Sequence, residues 1–420
     1  MRARIAVFVV IIQSIVLLAH WFIYRTWIDF RAVADPPGIT VPQAALALLS
    51  VSFVAASFLA FRYFNRFARV FYTIAAVWLG MVNFLFLAAC LCWTLDFGGR
   101  LTGLDVDLPA VAGVVFGLAI LLGIYALINA RWVRVKRIKV KLPNLPPTWR
   151  GRVAALVSDV HLGHVNGVAF MRRIVAKLTR LGPDVVFLTG DLYDGTKVDA
   201  NTLAAPWKEL SAPLGAYFIT GNHEEFSNPV KYLDAVRLAG VRILNDEKVT
   251  LDGLQVVGVL HHTSANADQF RSVLDRAALK REEPSILLSH APHALPIPEQ
   301  AGISLQLSGH THGGQFFPFT WFTRRIFGEF TYGLKRFGNM MVHHNRRRNL
   351  GPADAARHAT RDRIDSVRVK SVPHDSPLSR TSDSNLRCQI GCTLTLISGK
   401  NYYFCQSQLF PGWLIFAVGR

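Results

Sequence analysis

The chain is short of charge. Asp, Glu, Lys and Arg make up only 18% of its 420 residues, below the roughly 25% usual for soluble domains. Acid is scarcer than base, 28 residues against 46, for a net charge of +18. Residues 1–130 lack lysine altogether and carry eight Arg and five Asp, so most of the excess charge lies further on. Cysteine is scarce too, five in all. That excludes a disulfide scaffold, and two of the five, Cys90 and Cys92, fall inside an apolar run. The half of the chain that is hydrophobic, 51%, excludes a wholly disordered protein.

Where charge is missing, long apolar runs stand. Four uncharged stretches, about 5–24, 42–61, 70–95 and 108–130, each approach the ~20 residues that span a bilayer. The first is too long for a signal-peptide core, lacks a small-residue cleavage site and is followed by three more, so it reads as a retained span. Arg2 and Arg4, then Arg62, Arg66 and Arg69, then the run Arg131–Lys141 mark one side as basic. The opposite flanks carry Asp29, Asp35, Asp96, Asp105 and Asp107. Positive residues stay cytoplasmic, which places the bulk of the chain on the cytoplasmic side of the inner membrane. Spans without Asp, Glu, Lys or Arg disfavour a transporter and favour an anchor. The basic run directly after the fourth span suits anionic membrane lipid better than nucleic acid, and no nucleic-acid partner is expected. Its alternation of Val133, Val135, Ile138 and Val140 is equally that of a strand with one basic face. Pro143, Pro146 and Pro147 then close a linker, 131–150.

From residue 151 the texture changes to short apolar runs that end in polar residues. Val153–Val157 leads to Asp159 and His161, Val185–Leu188 to Gly190-Asp191, and Ala216–Ile219 to Gly221-Asn222-His223-Glu224. Ile286–Leu288 leads to Ser289-His290, and Ile303–Leu307 to Gly309-His310-Thr311-His312. Helical patterns at Val168–Leu181, Pro229–Ala239 and about Ala267–Glu282 alternate with these runs, and Asp252-Gly253 turns a hairpin within Lys248–Gly258. The alternation predicts a mostly parallel α/β sheet with its polar clusters beyond the carboxyl ends of the strands, where such sheets bind ligands.

Asp159, His161, Asp191, Asn222, His290, His310 and His312 together offer oxygen and imidazole donors without sulfur. That set suits divalent Mn, Fe or Zn. Seven donors exceed what one catalytic ion uses and fit two ions sharing a carboxylate. On extended backbone the pairs Asp159/His161 and His310/His312 would each face one centre. A lone Gly-Asp or Asn-His is ordinary turn or cap chemistry; five such pieces in order are not.

In this order the motifs resemble the calcineurin-like metallophosphoesterase superfamily. Gly313-Gly314-Gln315 and the anchor ahead of the domain resemble its bacterial membrane-associated branch. The likeness covers about Val153–Val342. It implies an α/β (α+β) sandwich of two mixed sheets flanked by helices. It also implies a first metal on Asp159, His161, Asp191 and His312, and a second on Asn222, His290 and His310, bridged by Asp191. His223 would act as general acid or transition-state stabiliser beside the leaving group. The implied activity is metal-dependent hydrolysis of a phosphodiester or pyrophosphate by a metal-bridged hydroxide. The anchor makes a lipid-linked phosphoester the leading substrate; UDP-diacylglucosamine is one example, because related branches act on it. Soluble nucleotides are the alternative, and an inactive metal-binding module the alternative of another class. His164 is a candidate substrate contact. Glu224 or Asp184 is a candidate to orient a histidine. His261 and His262, where acidic residues are usual in the family, read as a surface loop, and His293 as a helix start.

The organisation expected is therefore a membrane module over 1–130, the linker 131–150, a catalytic domain over 151–342 and a tail over 343–420 outside the family pattern. His343–Arg387 carries ten basic and five acidic residues with no sustained period, the composition of disorder. Compatible codons for Asn345–Pro352, read one nucleotide later, give Thr-Gly-Val-Gly-Thr-Trp-Gly-Pro. The same shift across Thr360–Asp365 permits Pro-Glu-Ile-Val-Leu, a strand the family resemblance leads one to expect. The hypothesis that follows is a frameshift near residue 343. It would leave Cys388, Cys392, Cys405 and Tyr402–Val418 without a structural role and the fold without its last one or two strands. Codons that cannot be read that way would sink it.

Overall fold

The computed structural model describes residues 2–32, 40–130, 133–226, 229–315, 317–345 and 391–398, with residues 2–5, 134 and 391–398 as backbone only. Helices α1 (Arg2–Arg31), α2 (Val41–Arg62), α3 (Arg66–Thr102) and α4 (Leu108–Ala130) are each long and apolar enough to cross a membrane. α1 and α3 outrun the uncharged stretches because their polar ends pair along the helix. Arg25 meets Asp29 at 2.8 Å and Arg100 meets Asp96 at 3.0 Å, both four residues apart. Asn65 caps α3 by accepting from the Ala68 amide, and Gly103 ends it in the left-handed region. Ala56, Ala60, Ala75 and Ala76 let α2 and α3 approach closely around Val16, Phe53 and Tyr72.

The basic run forms strand β1 (Arg134–Lys141), and the domain follows in chain order. Its elements are β2 (Val153–Val157), α5 (Val168–Leu181), β3 (Val185–Thr189), α6 (Ala200–Ala204), β4 (Ala216–Ile219), α7 (Asn222–Phe226), α8 (Pro229–Leu238) and β5 (Arg242–Ile243). Next come β6 (Glu247–Leu251), β7 (Leu254–Val259), α9 (His261–Ala265), α10 (Ala267–Arg276), β8 (Ser285–Ser289), α11 (Pro296–Gln300) and β9 (Leu305–Ser308). The last are α12 (Phe319–Phe327), β10 (Gly333–Phe337), β11 (Met340–His344) and β12 (Gly391–Ser398).

Two mixed sheets result, ordered β1-β12-β2-β3-β4-β5 and β10-β11-β9-β8-β7-β6. Alternation along the strands decides the layers. Leu156, Phe187, Ile219, Val256, Leu288 and Leu307 point between the sheets. Their neighbours Val157, Val186 and Phe218 pack on α5 and α8, and Val257 and Leu287 pack on α10. Burial on both faces is why these strands read as continuous apolar runs. Four layers, helix–sheet–sheet–helix, follow.

These are the two mixed sheets that the family resemblance implies: the first is parallel except for the edge strand β1, and the second is parallel at its centre with antiparallel strands at both edges. One expectation changes. The tail does not leave the fold a strand short: Gly391–Ser398, with its Thr-Leu-Thr-Leu-Ile alternation, pairs antiparallel to β1 and parallel to β2. The rest of the tail beyond Asn345, with Cys388, Cys405 and Tyr402–Val418, lies outside the described residues.

The domain sits on the end of the membrane module formed by the α2–α3 connection. The Ala60 carbonyl accepts from the Lys197 amide at 3.2 Å and from His164 Nε2 at 3.1 Å. His164 packs against Phe64 and Tyr72, and Val165 against the α2–α3 cluster. The loops after β2 and β3 therefore rest on the helices that enter the membrane.

Candidate metal centre

All seven candidate donors converge at the carboxyl ends of β2, β3, β8 and β9 and the start of α7. Three groups, buried except for the half-buried His310, bring donors close enough for one ion each: Asp159 with His161 and His312, His161 with Asp191 and His223, and Asp191 with His290 and His310. Asp191 belongs to two of them. His161 Nε2 lies 3.1 Å from His312 Nε2 and 3.7 Å from Asp191 Oδ2. His312 Nε2 lies 3.6 Å from Asp159 Oδ1. On the other side, His290 Nε2 is 3.2 Å from Asp191 Oδ2 and 3.1 Å from Asn222 Oδ1. His310 Nδ1 is 3.0 Å from that same oxygen. Donors bonded at about 2.1 Å to one ion stand about 3.0–3.4 Å apart at right or tetrahedral angles.

The backbone shows how this is achieved. Asp159, His161, Asp191, His310 and His312 all have positive φ, between 46° and 77°. The i, i+2 pairs thus converge through left-handed turns, correcting the extended geometry expected for them. Such conformations cost non-glycine residues about 1–3 kcal/mol each and collect where function demands them. Two glycines admit the close approach. A Cβ at Gly309 would strike the Ser158 and Asp159 side chains, and one at Gly221 would strike the Asp191 carboxylate.

Hydrogen bonds fix which nitrogen of each imidazole faces inward. His290 Nδ1 donates to the Thr189 carbonyl at 2.7 Å and His223 Nδ1 to the Asp194 carbonyl at 2.8 Å. Each then turns Nε2 toward Asp191, and His223 Nε2 and Asp191 Oδ2 are buried without a hydrogen-bond partner. A buried carboxylate oxygen and imidazole nitrogen left in this way fit a cation between them. The electrostatics say the same. Burial pushes Asp159 up to about 6, and although burial opposes it, Asp191 and Asp159 drive His290 up to about 10. Two buried carboxylates thus favour a positive charge beside them.

Support comes from a residue with no imidazole contact. Glu224 accepts from the amides of Asp191 at 3.0 Å, Gly221 at 2.8 Å and Tyr193 at 2.9 Å. It ties the loops after β3 and β4 together rather than orienting a histidine. Asp184 accepts from the Val153 amide at 2.7 Å between β2 and β3, and orients no histidine either.

Residues 153–314 match the family described as calcineurin-like phosphoesterase. A bovine protein named transmembrane protein with metallophosphoesterase domain is 31% identical over 356 residues, covering 76% of this chain and 78% of its own. The chain belongs to the calcineurin-like metallophosphoesterases. A zebrafish protein of the same name is 28% identical, over 74% of this chain and 78% of its own. An uncharacterized metallophosphoesterase of Campylobacter jejuni is 27% identical, over 79% and 90%. The metallophosphoesterase domain thus comes with apolar helices, and the protein is a membrane protein.

The structure moves three histidines. His164 is outside the three donor groups; its Nε2 goes to the Ala60 carbonyl and its ring packs against Phe64 and Tyr72. His261 is no surface-loop residue. Its ring stands 5.4 Å from those of His290 and His310, centroid to centroid, and its buried Nδ1 has no hydrogen-bond partner. Only His262 is exposed, paired to Glu225 at 3.0 Å. His293 packs beside both His261 and His310, three residues ahead of α11 and not at its start. Sequence spacing could not place His261 or His293, because the turn after β7 and the loop after β8 meet only in space.

Proposed function

We propose that the protein is a membrane-anchored, dinuclear, metal-dependent phosphoester hydrolase acting on a phosphodiester or pyrophosphate bond. The observation that carries this reading is the sharing of Asp191 between two donor groups. Asp159, His161, Asp191 and His312 would hold one divalent ion, and Asp191, Asn222, His290 and His310 the other. Ions held there would supply Lewis acidity at the phosphoryl oxygens and would make a water acidic enough to ionise near neutrality. His223, its Nδ1 committed to Asp194, keeps Nε2 turned into the cluster, where it can give a proton to the departing oxygen. The left-handed turns hold the donors in place before substrate arrives.

The basic flanks support a cytoplasmic domain on the inner membrane. Docking of the loops after β2 and β3 on the α2–α3 end supports a lipid-linked phosphoester as substrate. Hydrolysis of bis-p-nitrophenyl phosphate by the full chain with Mn²⁺, beside an Asn222→Ala control, tests the chemistry. A folded, metal-loaded protein that does not turn over would defeat the enzyme reading. Equal rates in both proteins would defeat the site assignment.

A further inference from the structure

Helix α12 has two faces with different surroundings. Phe319, Thr323 and Phe327, spaced four apart, form its inner face. Phe319 packs against the α2–α3 cluster of the membrane module. Phe327 lies against His293 and His310, its ring centroid 5.7 and 6.2 Å from theirs. One short helix therefore touches the membrane helices at its start and the metal centre at its end. Its outer face carries Trp321, Phe322 and Ile326, which are 59%, 51% and 56% exposed, and Phe317 just before it is exposed as well. Arg324 and Arg325 are exposed between them.

A soluble surface has no reason to display three large apolar side chains on nine residues, two of them aromatic. A helix lying in the interface of a bilayer does: the apolar side enters the acyl boundary and the arginines meet headgroup phosphates. The apolar face continues the surface of helices already fit to span the membrane, because Phe319 anchors α12 to them. Its charge complements anionic lipid, and Lys136 on β1 reaches the same border by donating to the Tyr332 hydroxyl at 2.9 Å.

We infer that α12 lies in the bilayer interface, with Trp321, Phe322 and Ile326 in the acyl boundary and Arg324 and Arg325 at the headgroups, so that the metal centre opens at headgroup depth to a phosphoester carried on lipid. The substrate half of this inference rests on the hydrolase reading above; the placement of α12 does not.

The test uses the full chain in vesicles of phosphatidylcholine and phosphatidylglycerol, with the five native cysteines replaced by alanine. A fluorophore is attached in turn at Trp321→Cys, Phe322→Cys, Ile326→Cys and, as controls, the exposed Leu238→Cys and Arg276→Cys. A lipid with a shallow doxyl quencher should quench the three α12 labels several-fold more than either control. Quenching equal to the controls overturns the placement, and so does a label at these positions that is shielded from water yet unquenched, as against a second copy of the chain. Separately, the triple change Trp321→Glu, Phe322→Glu and Ile326→Glu should lower the ratio of lipid-borne to soluble phosphodiester hydrolysis about tenfold or more. An unchanged ratio overturns the lipid route. Quenching is read without turnover, so an inert enzyme would defeat the hydrolase reading and leave the placement of α12 to be decided by quenching alone.

Discussion

His164 donates from Nε2 to the carbonyl of Ala60 at 3.1 Å, joining the loop that carries Asp159 and His161 to the end of a membrane helix. The Ala60 carbonyl sits where the last turn of α2 leaves its acceptors unpaired. The metallophosphoesterase domain supplies the missing donors, His164 and the Lys197 amide. The anchor is thus fastened to the metal-centre loops themselves, not only through the linker.

The joint should be acid-sensitive. Burial lowers the His164 imidazole below its ordinary range, against the pull of Asp194 and of the Ala60 carbonyl. A histidine whose folded pKa is depressed contributes fully above its unfolded value of about 6.5. That contribution is lost as pH falls below 6.5 toward the folded value. His164→Gln, which can still donate but does not titrate, should reduce this part of the acid destabilisation. His164→Ala should cost about 1–3 kcal/mol at neutral pH. Thermal unfolding in lipid nanodiscs across this range measures both.

Glu224 makes a separate prediction. Its carboxylate accepts three backbone amides, and a glutamine would turn its own NH₂ toward at least one of those donors. Glu224→Gln should therefore destabilise by about 1–3 kcal/mol and weaken metal binding roughly 10–100-fold through displacement of Asp191. Melting temperature and metal titration together separate this from a surface substitution, which would move neither.

Legibility from the sequence followed the range of the forces. The membrane helices, the strands β2, β3, β4, β8 and β9 and the seven donors could be read because each is a local pattern: an uncharged run, an apolar run, or a polar motif at a strand end. The split into two sheets came from the family resemblance and not from the local patterns, since Leu156 and Leu288 meet in one cluster only after long-range pairing. His261 was missed for a related reason. Glu225 takes the amides of His261 and His262 at 2.8 and 3.0 Å and so turns α9 into the site, a contact between residues 36 and 37 positions apart. The left-handed φ of Asp159 and its fellows is set by what converges there, not by their own preferences.

His261 should matter for turnover more than for folding. Burial, and then the charges of His290 and His293, hold its imidazole well below the usual range, so it stands neutral beside the cluster. A neutral imidazole there can donate to a phosphoryl oxygen without placing a further positive charge beside the cluster. His261→Ala is expected to lower kcat/KM on a phosphodiester about 10–100-fold, the range for residues that support a metal site, while metal content measured by mass spectrometry stays at the wild-type value.

His223 should show the opposite balance from the residues that hold metal. Its Nε2 faces Asp191 at 3.9 Å, farther than His290 at 3.2 Å, and Nδ1 is held by Asp194. His223→Ala should cut kcat by about 10²–10⁴, the usual contribution of a general acid. Metal content should be retained, and the loss should be smaller on substrates whose leaving group needs no proton. A leaving-group series on p-nitrophenyl and alkyl phosphodiesters reads this directly.

Asp191 decides between one ion and two. It is the only residue shared between a group containing His161 and a group containing His290 and His310 among the described residues. Removing a donor that serves one group, by His312→Ala or Asn222→Ala, should halve the bound metal and leave the other ion in place. Asp191→Asn keeps an oxygen but deletes the charge both groups use, and it also strands His290, whose high pKa depends on that carboxylate. Metal content should fall below one ion per chain, further than either single-group change. Added Mn²⁺ should then no longer raise the melting temperature, whereas at a hundredfold excess over Kd it should stabilise the wild type by about 2.7 kcal/mol per site. If Asp191→Asn lost no more metal than His312→Ala, the two groups would not share Asp191 as a bridge and the dinuclear assignment would fail.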